Sequence, residues 1–400
     1  MPEAVIVATG RTPIGRAMKG SLVTCRPDDL TALVVRAVLA KIPQLDPAQV
    51  EDLILGCGEP AGESGYNVAR VSALLAGVDV PGVTVNRYCS SSLQTIRMAA
   101  HAIRAGEGDV FVAAGVETVS RYGHGTSDSG PHNPAFAEAE ARTAARTAAV
   151  TEPWTPPAGL PDVYIAMGQT AENVAEHEQV SRQEMDEFAA LSQNRAVESQ
   201  RNGFFEREII PVTLADGTVV AKDDGPRPGT TVEALANLKP AFREGGSVTA
   251  GNSCPLNDGA AAVVVMSDTK AKALGITPLA RVVSSGVSAL DPEIMGLGPI
   301  GASRQALERA KLTMDDIDLV EINEAFAAQV VPSAKHLGIS YDKLNVHGGA
   351  IALGHPFGMT GARIMTTLVN GLETTGGRYG LETMCVGGGQ GMAMIVERLS

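Results

Sequence analysis

The chain lacks several things, and each lack removes a class of function. Hydrophobic residues make up 44% of its 400 residues, yet no apolar run approaches the ~20 residues needed to cross a bilayer. Excess positive charge is missing too. The 32 Lys and Arg against 45 Asp and Glu leave a net charge of −13, which argues against nucleic acid or an anionic membrane as the main partner. A local basic patch could still hold one cluster of phosphates. The five cysteines (Cys25, Cys57, Cys89, Cys254, Cys385) form no C-x-x-C pair, so neither a zinc site nor a disulfide framework is indicated. Free thiols suit a reducing compartment. A strand is expected from about residue 4, which leaves no room for a leader peptide, and the final Glu-Arg-Leu-Ser is not a peroxisomal address. A soluble, globular, cytoplasmic protein with a large core and two or three domains is expected.

What is present is a weak internal repeat. Residues 46–58 and 313–325 each read as a short capped turn, an acidic-apolar run and an apolar strand ending in a polar loop. Amphipathic helices are expected before them, at 28–41 (Leu30, Leu33, Val34, Ala37, Val38) and at 302–311. A second pair follows: Thr-Val-Asn-Arg-Tyr-Cys opens a helix at 90–105, and Asn-Val-His-Gly-Gly-Ala leads toward one at 358–373. The apolar runs 259–266 and 391–397 close the two halves. Alternating helices and strands predict layered α/β halves around a mostly buried sheet, and the repeated order predicts a pseudo-twofold axis. Between the halves, about 120–248 has a different texture, with helix signals at Met167–Glu178 and Ser181–Asn202, where Ser181 and Glu184 make a capping box. A long insertion of this kind is a candidate binding surface.

Three segments carry chemistry. Cys89 stands where a strand gives way to the helix at 90–105, and a helix N-terminus is expected to lower a thiol's pKa from ~8.5; the plain alternative is a small buried residue filling a gap. His355, in Gly354-His355-Pro356, could take the Cys89 proton and donate to a thioester oxygen, or merely serve a tight loop. Cys385 precedes three glycines by one residue; such backbone can aim N–H groups at an oxyanion, or simply turn. Asn323 ends an apolar strand, where its amide could hold a water or an oxyanion; it could equally cap the next helix. A second thiol near the first has no use in hydrolysis but suits removal of a proton α to a thioester carbonyl. Carbon–carbon bond chemistry on thioesters is therefore indicated. Cys25 and Cys57 read as structural.

Cys89-Ser-Ser-Ser-Leu-Gln, Asn323-Glu-Ala-Phe, Gly354-His355-Pro356 and Cys385-Val-Gly-Gly-Gly together resemble the four signature motifs of the thiolase family. Asn67-Val-Ala-Arg70, Met167-Gly-Gln-Thr-Ala-Glu-Asn, Leu238-Lys-Pro-Ala-Phe242, Thr249-Ala-Gly-Asn252 and Met295-Gly-Leu-Gly-Pro299 extend the likeness along the whole chain. The resemblance implies a layered α-β-α-β-α fold with an inserted loop domain: 1–119 plus 249–270 as the N-terminal half, 120–248 as the insertion for CoA and oligomer contacts, and 271–400 as the C-terminal half. It implies that Cys89 is acylated, that His355 activates it and forms one oxyanion hole with a water on Asn323, and that the N–H groups of Cys89 and Gly387 form a second. Cys385 would handle the α-proton in a ping-pong reaction: thiolysis of a 3-ketoacyl-CoA or condensation of acetyl-CoA. CoA would be a co-substrate, with no tightly bound cofactor and no metal. Arg227 would meet its nucleotide phosphate, and Ala250, Cys254, Met295 and Phe326 would line the pantetheine or acyl channel. A homodimer or homotetramer is implied, with Asn67–Arg70 in the dimer-facing loop.

Some positions depart from the family pattern. Ser92 replaces a glycine, Cys254 a serine and His347 an asparagine, and Ala166 stands where short-chain biosynthetic members often have histidine. That last departure leans toward the degradative 3-ketoacyl-CoA branch. Two rival readings are a ketoacyl-synthase-like condensing enzyme, which uses one cysteine, and an inactive scaffold subunit, which should have lost one of the four motif residues.

Overall fold

The first stretch runs β1 (Ala4–Arg11), β2 (Gly15–Arg16), α1 (Pro27–Ala40), β3 (Asp52–Gly56), α2 (Val68–Leu75), β4 (Gly82–Val85), α3 (Ser91–Ala105) and β5 (Val110–Thr118). A helical insertion follows: α4 (Ala137–Ala148), α5 (Met167–His177), α6 (Arg182–Arg201), the hairpin β6 (Val212–Thr213) and β7 (Val219–Val220), and α7 (Val232–Ala236). The chain returns through β8 (Asn257–Ser267), α8 (Asp268–Leu274), β9 (Ala280–Ala289), α9 (Gly298–Ala310) and β10 (Leu319–Ile322). It ends with α10 (Ala327–Leu337), α11 (Ala350–Leu353), α12 (Thr360–Thr375), β11 (Tyr379–Val386) and β12 (Gln390–Arg398). The structure, a computed structural model, describes residues 2–148 and 153–400; part of the insertion, 149–152, lies outside them.

The main sheet is ordered β10-β11-β12-β9-β1-β8-β5-β3-β4, with β2 beside β8. From its middle outward the order is symmetric. β9 and β1 meet antiparallel through only Val5↔Arg281 and Ile6↔Ala280. On either side come an antiparallel β12 or β8, an antiparallel β11 or β5, and a parallel β10 or β3. β4 lies parallel to β3 from Leu53↔Gly82 onward, and the matching place beside β10 is held by an isolated parallel bridge, Val320↔Leu344. The repeated segments thus land on equivalent strands, β3 with β10 and β8 with β12.

Alternation along each strand builds the layers, because successive side chains leave opposite faces of a sheet. On β8, Ala261, Val263 and Val265 pack with Leu93 and Ile96 of α3 and Ile364 and Met365 of α12. Ala260, Ala262 and Val264 face α1 and α2 instead. On the other half, Met384 and Met392 face α3 and α12, while Leu381 and Ala393 face α9 and α10. The result is α-β-α-β-α, with α3 and α12 in the middle. Sheet faces covered on both sides explain why the strands read as nearly unbroken apolar runs.

Two boundaries differ from expectation. α9 starts at Gly298 rather than 302, with Pro299 in its first turn, where a missing N–H costs nothing. α12 starts at Thr360, after a 3₁₀ turn at Phe357–Met359. The Ser181/Glu184 capping box is present.

The leading turns of the central helices, Tyr88–Ser90 and Phe357–Met359, touch each other. A Cβ on Gly361 would strike the backbone of Leu93, so the helices pack backbone to backbone there. Ser92 fits this seam. It is fully buried, and its Oγ accepts the Ala362 N–H at 2.9 Å. That amide lies in the first turn of α12, where helices leave N–H groups without an internal partner. The serine therefore ties the two halves together.

Candidate active site

Cys89 sits in the turn between β4 and α3. Its neighbour Tyr88 has φ 42°, a left-handed conformation that costs a bulky residue energy. Two side chains hold it: Asn86 Oδ1 accepts the Tyr88 N–H at 2.7 Å, and Ser91 Oγ accepts the Arg87 N–H at 2.9 Å. Burial pushes the Cys89 thiol up to about 11, against the lowering effect of the N–H groups of Gly387 and of Cys89 itself; the Glu117 carboxyl adds to the rise. The expectation of a lowered pKa is corrected here. A helix N-terminus does meet the sulfur, but desolvation outweighs it. At neutral pH Cys89 is therefore a thiol, and acyl transfer through it calls for a base.

His355 is held in one orientation. Gly354 has φ 115°, and a Cβ there would collide with the Asn257 side chain. Asn257 Oδ1 accepts the His355 N–H at 3.0 Å. The tautomer follows from hydrogen-bond accounting. Thr360 gives its hydroxyl proton to the Pro356 carbonyl at 2.9 Å, so at 2.6 Å it must accept from His355 Nδ1–H. Nε2 is then the unprotonated nitrogen. Burial, and next the Arg363 charge, lower the imidazole to about 3, keeping it neutral.

Asn323, at the end of β10, points its Nδ2 at His355 Nε2 from 3.3 Å. Its Oδ1 is buried without a protein partner. It does not cap α10, whose N-cap is Phe326.

Cys385 ends β11, and its thiol donates to Gln329 Oε1 at 3.3 Å. Burial raises its pKa well above the ordinary value, and the sulfurs of Cys89 and Cys254 raise it further. Those three thiols are near enough to act on one another electrostatically; all five cysteines are unpaired. After Val386↔Gln390 closes the ladder, Gly388 (φ 75°) and Gly389 (φ 77°) turn the chain, and Gly387 delivers its N–H to the Cys89 sulfur.

The remaining positions implied by the resemblance fall into two groups. Met295 and Phe326 are buried in one cluster with Leu235 and Val248, and Cys254 packs against it. The Cys254 N–H donates to the Ala325 carbonyl at 3.0 Å. Ala250 is exposed nearby in sequence, and Arg227 is exposed elsewhere on the insertion. Arg227 donates its N–H to Gln193 Oε1 at 2.9 Å, and the charge that acts on its guanidinium is Arg16, not a carboxylate. Among the departures, His347 stacks on Phe204 at 3.5 Å and burial lowers it to about 4. Ala166 is the N-cap of α5.

A cleft of about 430 Å³ opens onto Cys89, Gly387 and Phe357, with Met167, Val163 and Tyr164 on its other side. Among the described residues its lining includes no Lys or Arg, but it does include Glu59 and Asp128. Glu59 Oε2 accepts the N–H and O–H of Ser127 at 2.7 and 2.8 Å and the N–H of Asp128 at 3.0 Å. Burial and then the Glu59 charge raise Asp128 above the usual carboxylate range. His132 lies flat on Tyr164 at 3.8 Å and pairs with Glu140 at 2.9 Å.

Sequence reasoning missed Glu117, Thr360, Asn257 and Gln329. Glu117 is buried at the end of β5 and accepts N–H bonds from Gly58 at 2.7 Å and Gly358 at 2.9 Å, plus the Tyr122 hydroxyl at 3.1 Å. It pins the loop after β3 to the loop that carries His355. Its signal was available: a polar residue closing an apolar strand, as Asn323 also is.

A thiol at a strand-to-helix turn, a neutral histidine with a defined tautomer, a second thiol and N–H groups at the first sulfur are an arrangement suited to acyl transfer. The comparisons agree. The chain matches the family of the thiolase N-terminal domain over residues 4–269 and that of the thiolase C-terminal domain over residues 276–398. It is 44% identical to a beta-ketoadipyl-CoA thiolase of Acinetobacter baylyi and 45% identical to a 3-ketoacyl-CoA thiolase of Vibrio cholerae, each over 100% of both chains. A crystal structure of the Bacillus anthracis acetyl-CoA acetyltransferase superposes with a TM-score of 0.86 at 39% identity, covering 100% of this chain and 99% of that one. The chain belongs to the thiolase family of acyltransferases. Among the described residues, no helix is long and apolar enough to cross a membrane.

Proposed function

We propose that this thiolase works in the degradative direction on 3-ketoacyl-CoA esters whose acyl chain is uncharged. The observation that carries this is the lining of the cleft at Cys89, where Glu59 and Asp128 stand with no Lys or Arg among the described residues, and where His132 is already paired with Glu140. A chain ending in a carboxylate, such as a ketoadipyl group, would meet like charge there without a partner. The 3-oxohexanoyl and 3-oxoadipyl CoA esters have the same carbon count and differ at the chain end. Thiolysis of the pair by the purified protein should favour 3-oxohexanoyl-CoA by at least about tenfold in kcat/KM. Equal rates, or preference for the diacid, would contradict the proposal.

In the proposed cycle His355 Nε2 takes the Cys89 proton as the sulfur attacks the 3-keto carbon. His355 and a water on Asn323 receive the developing oxyanion. The C2–C3 bond then breaks, and Cys385 gives its proton to the departing acetyl-CoA carbanion. The Cys385 thiolate takes the proton of the CoA thiol as that sulfur attacks the acyl-Cys89 carbonyl, whose oxygen is held by the N–H groups of Cys89 and Gly387; the carbon–sulfur bond to Cys89 breaks, His355 returns its proton to the Cys89 sulfur, and acyl-CoA leaves. The Gly387 N–H on the Cys89 sulfur supports the second part, and the unpartnered Asn323 Oδ1 supports the first.

CoA is a co-substrate in this reading, with Arg227 at its phosphate and Ala250, Cys254, Met295 and Phe326 along its pantetheine arm; no tightly held cofactor is invoked. The chain divides into an N-terminal half (1–119 plus 249–270), a CoA-binding insertion (120–248) and a C-terminal half (271–400). A cytoplasmic homodimer or tetramer fits the free edge of β4 and the exposed Tyr66, Leu74 and Leu75 beside it. Light scattering on the purified protein tests the assembly.

A further inference from the structure

Gln329 is fully buried on the first turns of α10. Its Oε1 receives the Cys385 S–H, while its Nε2 is buried with no partner at all. An unspent amide donor in a buried site is costly and needs a reason. Space has been made for it: a Cβ on Gly296 would lie 2.7 Å from the Gln329 Cβ.

A primary amide is the one neutral side chain that can accept on one edge and donate on the other with almost equal shapes. A thiol that gives up a proton turns from donor into acceptor. We propose that Gln329 is a positioning residue whose amide turns over as Cys385 loses and regains its proton, offering Oε1 to the thiol and Nε2 to the thiolate. This role rests on the assignment of the α-proton to Cys385. It leaves the acylation of Cys89 by acetyl-CoA untouched, because that step breaks no carbon–carbon or carbon–hydrogen bond and so moves no proton between carbon and Cys385.

Two exchange reactions of acetyl-CoA separate the halves. Exchange of labelled CoA into acetyl-CoA requires only acylation of Cys89. Exchange of the acetyl methyl hydrogens with D2O requires removal of the α-proton. Gln329→Met keeps the volume and removes both edges of the amide; Gln329→Glu keeps the acceptor and loses the donor. Both full-length variants should retain CoA exchange within about threefold of the wild type. Both should lose methyl exchange by about 10- to 100-fold, the range for a hydrogen bond to a charged group. In Gln329→Met the rise of methyl exchange with pH should also move to higher pH. Loss of both exchanges by the same factor would mean a general packing role and overturn the proposal. Wild-type methyl exchange in either folded variant would overturn it too. Absence of CoA exchange in the wild type would contradict the acyl-transfer assignment itself, and this role with it.

Discussion

The turns that lead into α3 and α12 occupy equivalent places in two symmetric halves, yet they prepare opposite partners. At the head of α3, a strained Tyr88 and few side-chain contacts leave the Cys89 sulfur open to a cleft. At the head of α12, His355 is buried and held at three points: its N–H by Asn257, Nδ1 by Thr360, and Nε2 facing Asn323. In the proposed cycle the nucleophile must be reachable and the base must present one nitrogen. Duplication supplies two helix starts aimed at one spot, and divergence at a handful of residues gives each its task.

Breaking the comparison on the nucleophile side has the largest expected effect. Cys89→Ala should reduce thiolysis to background, read as loss of the ketoacyl absorbance. On the base side, His355→Asn should lower kcat/KM by about 10²- to 10⁴-fold, the span for general acid–base groups. Thr360→Val leaves the imidazole in place but frees its tautomer, and about a tenfold loss in kcat with little change in KM is expected.

The same histidine has a stability signature. Its folded pKa of about 3 lies below the ~6.5 of an unfolded histidine. Between about pH 6 and 4 the unfolded chain binds a proton that the folded chain refuses, so this group's contribution makes stability fall as pH falls. Glu321, raised by burial to about 8, titrates with the opposite sign, so the measurement is a difference. Chemical denaturation of His355→Asn should show a pH slope shallower than wild type by about 1.4 kcal/mol per unit in that range; identical slopes would refute a neutral His355.

Much of this contrast was legible in the sequence. Cys89, Asn323, His355 and Cys385 each sit where an apolar run breaks into glycine, serine or a helix start, and such breaks are local. The repeat was visible for the same reason. What was hidden depends on contacts between distant segments. Glu117 reaches Gly358 across 241 positions, and Asn257 reaches His355 across 98. The sign of the Cys89 shift was misread because a sequence displays the helix that would lower it but not the packing that raises it. α9 begins at Gly298, ahead of the expected 302, because a proline is tolerated in a helix's first turn and Pro299 sits there.

The seam between the halves gives the smallest expected effect. Ser92→Ala strands the Ala362 N–H and should cost about 1–3 kcal/mol of stability, with activity largely kept. Equal stability of the variant and the wild type would remove the serine's bridging role.

The central claim is that the two cysteines do different jobs. The most direct test is mass spectrometry of Cys89→Ala and Cys385→Ala after incubation with acetyl-CoA. The account predicts no acetyl adduct on Cys89→Ala, and an acetylated Cys89 on Cys385→Ala that forms no acetoacetyl-CoA. Equal acetylation of both variants would contradict it.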